Sequence, residues 1–259
     1  AKGEHWGPLH GIPMTIKDTF EVVGMPCTAG SPSLAKHMPK RNAFTVQLLN
    51  DAGAIMFGKT NIPLFAGDIQ SFNKVYGVTN NPWDVARTPG GSSGGAASAL
   101  ASGMTPIELG SDLAGSIRTP SHFCGTYGHK PTHGIISGRG HIPGPPGMLL
   151  EPDLATPGPM SRSADDLDLM MDVLAVPGPL MGNSWSLTLP SSDKKALSDF
   201  KVLVWTQDPL SPIDSDLETA YQEMATHLKA QGADVTVGAP EGMSLETFVP
   251  TYMNLLGSV

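Results

Sequence analysis

Apolar and polar positions along the chain fall into short blocks whose spacing changes from strand-like to helix-like. "GIPMTIKDTF" (Gly11–Phe20) is a mostly apolar run after a turn and predicts a short strand. "NAFTVQLLNDAG" (Asn42–Gly53) has helical spacing, with Asn42 placed as N-cap and Gly53 just past the end. "AIMFGKTN" then predicts a buried strand, and strand, helix, strand implies α/β layering with some parallel pairing. "YGVTNNPWDVARTPGG", with Pro82 and Pro89, reads as a loop, and "AASALASGM" as a helix of small side chains that can lie close to a neighbour. "SIRTPSHF" could begin a short helix. "SRSADDLDLMMDVLA" offers Ser163 as N-cap with Asp166 three residues on, followed by periodic Leu and Met. "KVLVW" (Lys201–Trp205) predicts a buried strand, and "DSDLETAYQEMATHLKAQGADVTV" a helix stopped at Gly232 and then a strand. "SLETFVPTYMNLLGSV" is apolar and helical in flavour. The Pro/Gly stretch from His141 to Pro159 reads as an ordered irregular loop, because apolar residues interrupt it.

Composition narrows the classes. With 259 residues, 40% hydrophobic and 15% charged, the chain can bury a sizeable core, and one domain over residues 1–259 is expected. The net charge is −8 and no run of Lys or Arg stands out, which argues against nucleic acid and anionic membrane as partners. No apolar stretch is long enough to span a bilayer. Two cysteines, Cys27 and Cys124, are too few for a disulfide scaffold or a Cys-based zinc site; they fit a reducing compartment, and a cytoplasmic location is expected. The abrupt opening "AKGEHWGPLHGIPM" and the apolar last stretch lead us to expect a piece of a longer chain.

Two Gly/Ser clusters, "GGSSGGAASAL" (Gly90–Leu100) and "GSDLAGSIRTP" (Gly110–Pro120), raise the question of chemistry. Glycine is costly to order, so paired clusters point to close backbone approach or to N–H groups aimed at something. Neither fits a phosphate-binding loop, which needs a Lys, nor a dinucleotide fingerprint. Gly90–Gly94 matches G-x-S-x-G, but Pro89 stands where the strand of a nucleophile elbow should enter. His129 and His133 have a metal-ligand spacing that Pro131 interrupts, so loop or surface histidines are expected there. Lys17 sits in an apolar strand. Either that strand is an edge with Lys17 in solvent, or burial lowers the lysine's pKa so that its neutral amine accepts a proton. Lys59 in "GKTN" follows a similar strand, and physics at this level does not choose between the two. Ser116 follows small residues and could lie beside converging N–H groups, the arrangement a tetrahedral acyl intermediate requires. A Ser–Lys pair without His is a chemically sufficient nucleophile and base. The plain alternative for both clusters is tight helix–sheet packing.

Taken together, "GIPMTIKD", "GGSSGG", "GSDLAGSIRTP" and "FCGTYGHKPTHG" resemble, in order, spacing and content, the amidase signature family, over roughly residues 6–175. The resemblance implies an α/β fold with a mixed, largely parallel central sheet flanked by helices. It implies amide hydrolysis by a Ser–cis-Ser–Lys triad: Ser116 as nucleophile, Ser92 as the bridging serine on a cis peptide bond, and Lys17 as base. Ser93 would support the network. The backbone N–H groups of Leu113, Ala114, Gly115 and Ser116 would form the oxyanion hole, and Asp112 and Arg118 would brace that loop. No metal or organic cofactor is implied. Three positions depart from the family pattern: Ala114 where Gly is common, Leu64 where an acidic residue often precedes the aromatic, and Thr119 where tRNA-dependent amidotransferase subunits tend to have Gln.

A stand-alone amidase acting on linear amides is therefore the leading expectation, with a small-molecule amide as partner and a homodimer left open. The small and apolar residues near the motifs favour an uncharged substrate. The alternatives are a catalytic subunit feeding ammonia within a larger complex, a truncated non-catalytic family member, and, least favoured, an α/β-hydrolase esterase built on the Gly90–Gly94 motif.

Overall fold

The computed structural model describes residues 3–142 and 151–257. Contacts divide the chain into two compact units, Ala1–Leu187 and Thr188–Val259; the signature stretch lies in the first, and the expected single domain spans both.

The first unit contains, in chain order, β1 (Pro13–Lys17), α1 (Phe44–Asp51), β2 (Ile55–Thr60), β3 (Phe72–Asn73), β4 (Gly77–Val78), α2 (Gly94–Ala101), β5 (Ile107–Asp112), α3 (Arg118–Cys124), β6 (Tyr127–Gly128), β7 (Thr156–Ser161) and α4 (Ala164–Leu174). The main sheet has the order β2-β1-β5-β7-β6. It is mixed: β1 runs parallel to β2 and β5, and β7 antiparallel to β5 and β6. Helices pack on it in layers, as expected for the α/β class. Met14 and Ile16 of β1 and Ile107 and Leu109 of β5 alternate onto one face, where they meet Val46 and Leu49 of α1 and Met170 and Leu174 of α4. A second apolar cluster joins Ala96, Ala97 and Leu100 of α2 to Ile117, Cys124 and Met160. The small side chains of α2 are what allow this close approach. A Cβ on Gly95 would run into the backbone of Asn61.

Several local expectations hold. Ser163 caps α4 by accepting a hydrogen bond from Asp166 N–H at 3.1 Å, and Gly53 follows α1 with φ +95°. Others need correction. Ala43, not Asn42, is the N-cap of α1, because the Asn42 side chain is drawn away to accept from Val23 N–H at 2.8 Å. β2 is an edge strand, with Ile55 and Phe57 about half exposed rather than buried. Part of the expected Pro/Gly loop, residues 143–150, lies outside the described residues, and its last four residues, Thr156–Pro159, belong instead to the inner strand β7. Its two prolines are tolerated there because Pro159 turns its carbonyl toward His129, at 3.0 Å. A residue's N and O point the same way in an antiparallel ladder, so the missing N–H groups face the two-residue β6 rather than β5.

The second unit holds β8 (Lys201–Val204), α5 (Ser215–Ala230), β9 (Asp234–Val237) and α6 (Leu245–Leu256). β8 and β9 pair in parallel, with Val204, Ala225 and Ala233 buried. Of β8 only Val204 is buried, so this strand is half covered rather than buried as expected. Gly232, at φ +90°, ends the turn after α5. Among the described residues no helix is long and apolar enough to cross a membrane.

Candidate active site

The C-terminal ends of the parallel strands β1 and β5 bring the chemistry together. Because β1 is interior, Lys17 has no route to solvent and is fully buried; the edge-strand alternative is overturned by the strand order. Lys17 Nζ lies 2.7 Å from Ser92 Oγ, 2.9 Å from Ser111 Oγ and 3.1 Å from the Ser111 carbonyl. None of these partners is a carboxylate. Burial therefore dominates and lowers the lysine's pKa to about 7, although Asp112 and Glu108 pull it upward from a distance. Lys59, which the sequence could not distinguish from Lys17, is instead paired with Asp18 at 3.0 Å and donates to the Phe20 carbonyl at 2.8 Å. The two lysines thus part company through their neighbours: one has a carboxylate and the other has only hydroxyls and a carbonyl.

Ser92 sits at the tight turn before α2, and the Gly91–Ser92 peptide bond is cis. Gly91 is required by close approach, since a Cβ there would stand 2.8 Å from the Gln70 backbone. Ser71 pins the turn by donating to the Gly90 carbonyl and accepting from Gly94 N–H. Ser93 is fully buried and donates to the Ser111 carbonyl at 3.3 Å. Its backbone N–H donates to the Ser116 carbonyl at 3.1 Å, so the two Gly/Ser clusters are joined through the backbone. Ser116 is half buried. Among the described residues no side-chain hydrogen bond links Ser92 to Ser116; such bonds are often long in unliganded enzymes and tighten with substrate.

The loop from Asp112 to Arg118 wraps around one carboxylate. Asp112 Oδ1 accepts from Gly115 N–H at 2.8 Å and Arg118 Nη2 at 2.9 Å. Its Oδ2 accepts from Ile117 N–H, Arg118 N–H and Arg118 Nε at 3.0–3.3 Å. Burial alone would raise this carboxyl's pKa, but the Arg118 guanidinium and these N–H donors outweigh it and hold the pKa below its usual value. Of the four N–H groups expected to face an oxyanion, that of Gly115 is therefore turned to Asp112. Those of Leu113, Ala114 and Ser116 have no acceptor among the described residues. Gly115 stands at φ +106°, which a side chain would strain.

Three side chains escaped the sequence reading. Ser111 touches Lys17 through both its hydroxyl and its carbonyl. His141 Nε2 lies 2.8 Å from Ser111 Oγ, and its ring packs edge-on against Phe20. Burial, with Lys17 nearby, pushes the His141 pKa down to about 3, so this imidazole is neutral. Glu108, fully buried one residue before Leu109, accepts from Thr15 at 2.6 Å and Thr60 at 2.8 Å, and burial raises its pKa to about 8. Ser111 lies inside a recognisable motif, but nothing local in the sequence marks His141 or Glu108.

The amidase family model matches residues 1–257, so the chain belongs to the amidase family. The A subunit of glutamyl-tRNA(Gln) amidotransferase from Methanosarcina acetivorans is 42% identical over 195 residues, covering 75% of this chain and 39% of that protein. The crystal structure of the corresponding A subunit from Thermotoga maritima superposes with a TM-score of 0.87 at 29% identity, over 98% of this chain and 55% of that one. A fatty acid amide hydrolase structure superposes with a TM-score of 0.85 at 29% identity, covering 98% and 45%. The chain thus spans about half the length, or less, of these relatives.

Proposed function

We propose that this chain hydrolyses a carboxamide C–N bond, giving the acid and ammonia or an amine, through an acyl-enzyme on Ser116. The observation that carries the reading is the buried Lys17 amine 2.7 Å from Ser92 Oγ, held near neutrality by burial. A neutral amine can accept a proton and an ammonium cannot. Lys17 accepts the Ser92 proton while Ser92 takes the proton of Ser116, and the Ser116 oxygen attacks the carbonyl. The resulting oxyanion is met by the unsatisfied N–H groups of Leu113, Ala114 and Ser116, each such donor contributing about 3 kcal/mol in comparable sites. The proton returns through Ser92 to the leaving nitrogen, which departs as a neutral amine, and water repeats the sequence on the ester.

Fluorophosphonate labelling located by peptide mass spectrometry tests this on the chain and on Lys17→Ala. An adduct on Ser116 that is lost in the variant is the expected result. An adduct on Ser92 would sink the assignment and revive the elbow motif. A second reading, an amidotransferase component that passes ammonia to a partner, is favoured by the names of the relatives, whereas Thr119 weighs against it. Both readings share the hydrolytic half-reaction. Gel filtration with candidate partner proteins separates them: a stable complex with raised activity selects the amidotransferase, and full activity alone selects the amidase acting on small linear amides.

A further inference from the structure

Lys17 has more hydrogen-bonding contacts than a base can use in only one way. A neutral amine has two N–H donors and one lone pair. The Ser111 carbonyl can only accept, so it takes one N–H, at 3.1 Å. The second N–H and the lone pair must then be shared between two hydroxyls, Ser92 at 2.7 Å and Ser111 at 2.9 Å. Two orders are possible. If Ser111 donates its proton to Lys17, the lone pair is filled and Lys17 can only donate to Ser92. Ser92 then has no base. If Ser111 donates elsewhere, its oxygen accepts the second N–H and the lone pair is left facing the Ser92 hydroxyl.

The alternative acceptor for the Ser111 proton is His141, whose Nε2 stands 2.8 Å from Ser111 Oγ. The ring is fixed edge-on against Phe20, with centroids 4.7 Å apart, and its backbone is tied down by His141 N–H to Gly138 and Ile142 N–H to Thr19. A neutral imidazole has one acceptor nitrogen, and the site's burial keeps this one neutral. Such a ring can act here in one of two tautomers, and only the one with its proton on Nδ1 presents an acceptor to Ser111.

We propose that His141 is a positioning residue: by accepting the Ser111 hydroxyl proton at Nε2, it reserves the Lys17 lone pair for Ser92. His141 touches no reacting atom and acts through Ser111, so the hydrogen-bonded row runs His141, Ser111, Lys17, Ser92. The inference rests on the proposed role of Lys17 as base for Ser92, but its hydrogen-bond order can be measured separately.

The test has two arms. Long-range nitrogen-15 NMR on the full chain, with the His141 signal assigned by its absence in His141→Gln, reads the tautomer directly; the Nδ1–H form at neutral pH is expected, and the Nε2–H form would overturn the proposal. In the second arm, the rate of fluorophosphonate labelling at Ser116 is compared across variants. His141→Leu, which keeps bulk but has no acceptor, is expected to label at least about tenfold more slowly, within the range of a disturbed general base. His141→Gln restores an oxygen near Nε2 and is expected within about threefold of the parent. In a Ser111→Ala background the competing hydroxyl is gone, so His141→Leu should cause no further loss. A full loss persisting in that background, or parent-like labelling of His141→Leu, would also overturn it. A parent chain that does not label at all would instead count against Ser116 as nucleophile, and the tautomer would still decide the hydrogen-bond order.

Discussion

Replacing Asp112 by Asn should unfasten the loop that carries Ser116 while leaving the sheet intact. The carboxylate accepts five hydrogen bonds, from Gly115 N–H, Ile117 N–H, Arg118 N–H and two guanidinium nitrogens. Whichever oxygen becomes the amide nitrogen, two or three of these donors then face another donor. An unsatisfied buried N–H costs about 1–3 kcal/mol, and the remaining bonds lose their charge assistance. The guanidinium side is discounted, because the Arg118 side chain is 57% exposed and a solvated pair contributes about 1 kcal/mol at most. The sum is about 3 kcal/mol, and at about 2–4 °C per kcal/mol for a chain of this size it predicts a melting point lower by about 6–12 °C. The same variant should lose most Ser116 labelling. Differential scanning fluorimetry at pH 7 measures the first effect. The sign with pH is fixed by linkage. The folded carboxyl's pKa is depressed, so the stabilisation is complete above the unfolded value of about 3.9 and disappears as pH falls through the folded one. The gap between parent and variant should therefore close on acidification. A melting point within about 2 °C of the parent, with normal labelling, would refute this account of the loop.

Three further outcomes follow from the buried groups. Ser116 labelling should rise through a single ionisation near pH 7, where Lys17 loses its proton, and stay level above it; a rate independent of pH between 5.5 and 8.5 (about three units spanning that value) would remove Lys17 as the base. Glu108 holds its proton up to about pH 8 when folded and only to about 4.3 when unfolded, so between those values folding takes up a proton and stability falls as pH rises. Glu108→Gln lacks this slope, and its melting point relative to the parent should climb from about pH 5 to about pH 8; a constant difference would contradict the burial argument. Cys27 and Cys124 are buried thiols with pKa values pushed up to about 12 and about 11, so Ellman's reagent should find no reactive thiol in the native chain and two after denaturation.

What the sequence made legible was local or carried by motif. The Ser163 cap, the helical stripe of α4 and the stop at Gly232 are decided by neighbours within a few residues, and they appear where expected. The positions of Lys17, Ser92, Ser116 and Asp112 came from a four-block resemblance, not from periodicity. What was hidden depends on the order of strands. Nothing in "PMTIK" says that β1 has a neighbour on each side, and that alone decides whether Lys17 is buried. For the same reason β2 looked buried and lies at the edge. Asn42 lost its capping role to a partner 19 residues earlier, Val23, which no local rule could foresee. His141 and Ser111 meet across 30 residues, and Glu108 joins three strands through Thr15 and Thr60. These contacts are products of topology, and a single histidine or glutamate in sequence does not announce them.

The turn from β5 into its loop explains how a buried lysine and an ionised aspartate coexist in one site. Adjacent residues of a strand point to opposite faces. By that alternation Ser111 falls on the Ile107/Leu109 face, where His141 meets it, and Asp112 on the Glu108 face that Lys17 shares. Lys17 Nζ reaches the Ser111 hydroxyl and carbonyl at the strand's end, and the Asp112 carboxylate turns to the loop that follows. An Asp112 carboxylate aimed at Lys17 would pair with it and keep the amine charged, as Asp18 pairs with Lys59. Five N–H donors instead hold the Asp112 charge on the loop, and Lys17 feels it only as a distant attraction that burial overcomes. The loop's own donors thus separate two functions on one face of the sheet, ordering the loop and keeping the base neutral. An insertion or deletion of one residue within Gly110–Asp112 would turn Ser111 away from His141 and the Asp112 carboxylate away from its loop donors. It should abolish labelling even if every proposed catalytic side chain were retained.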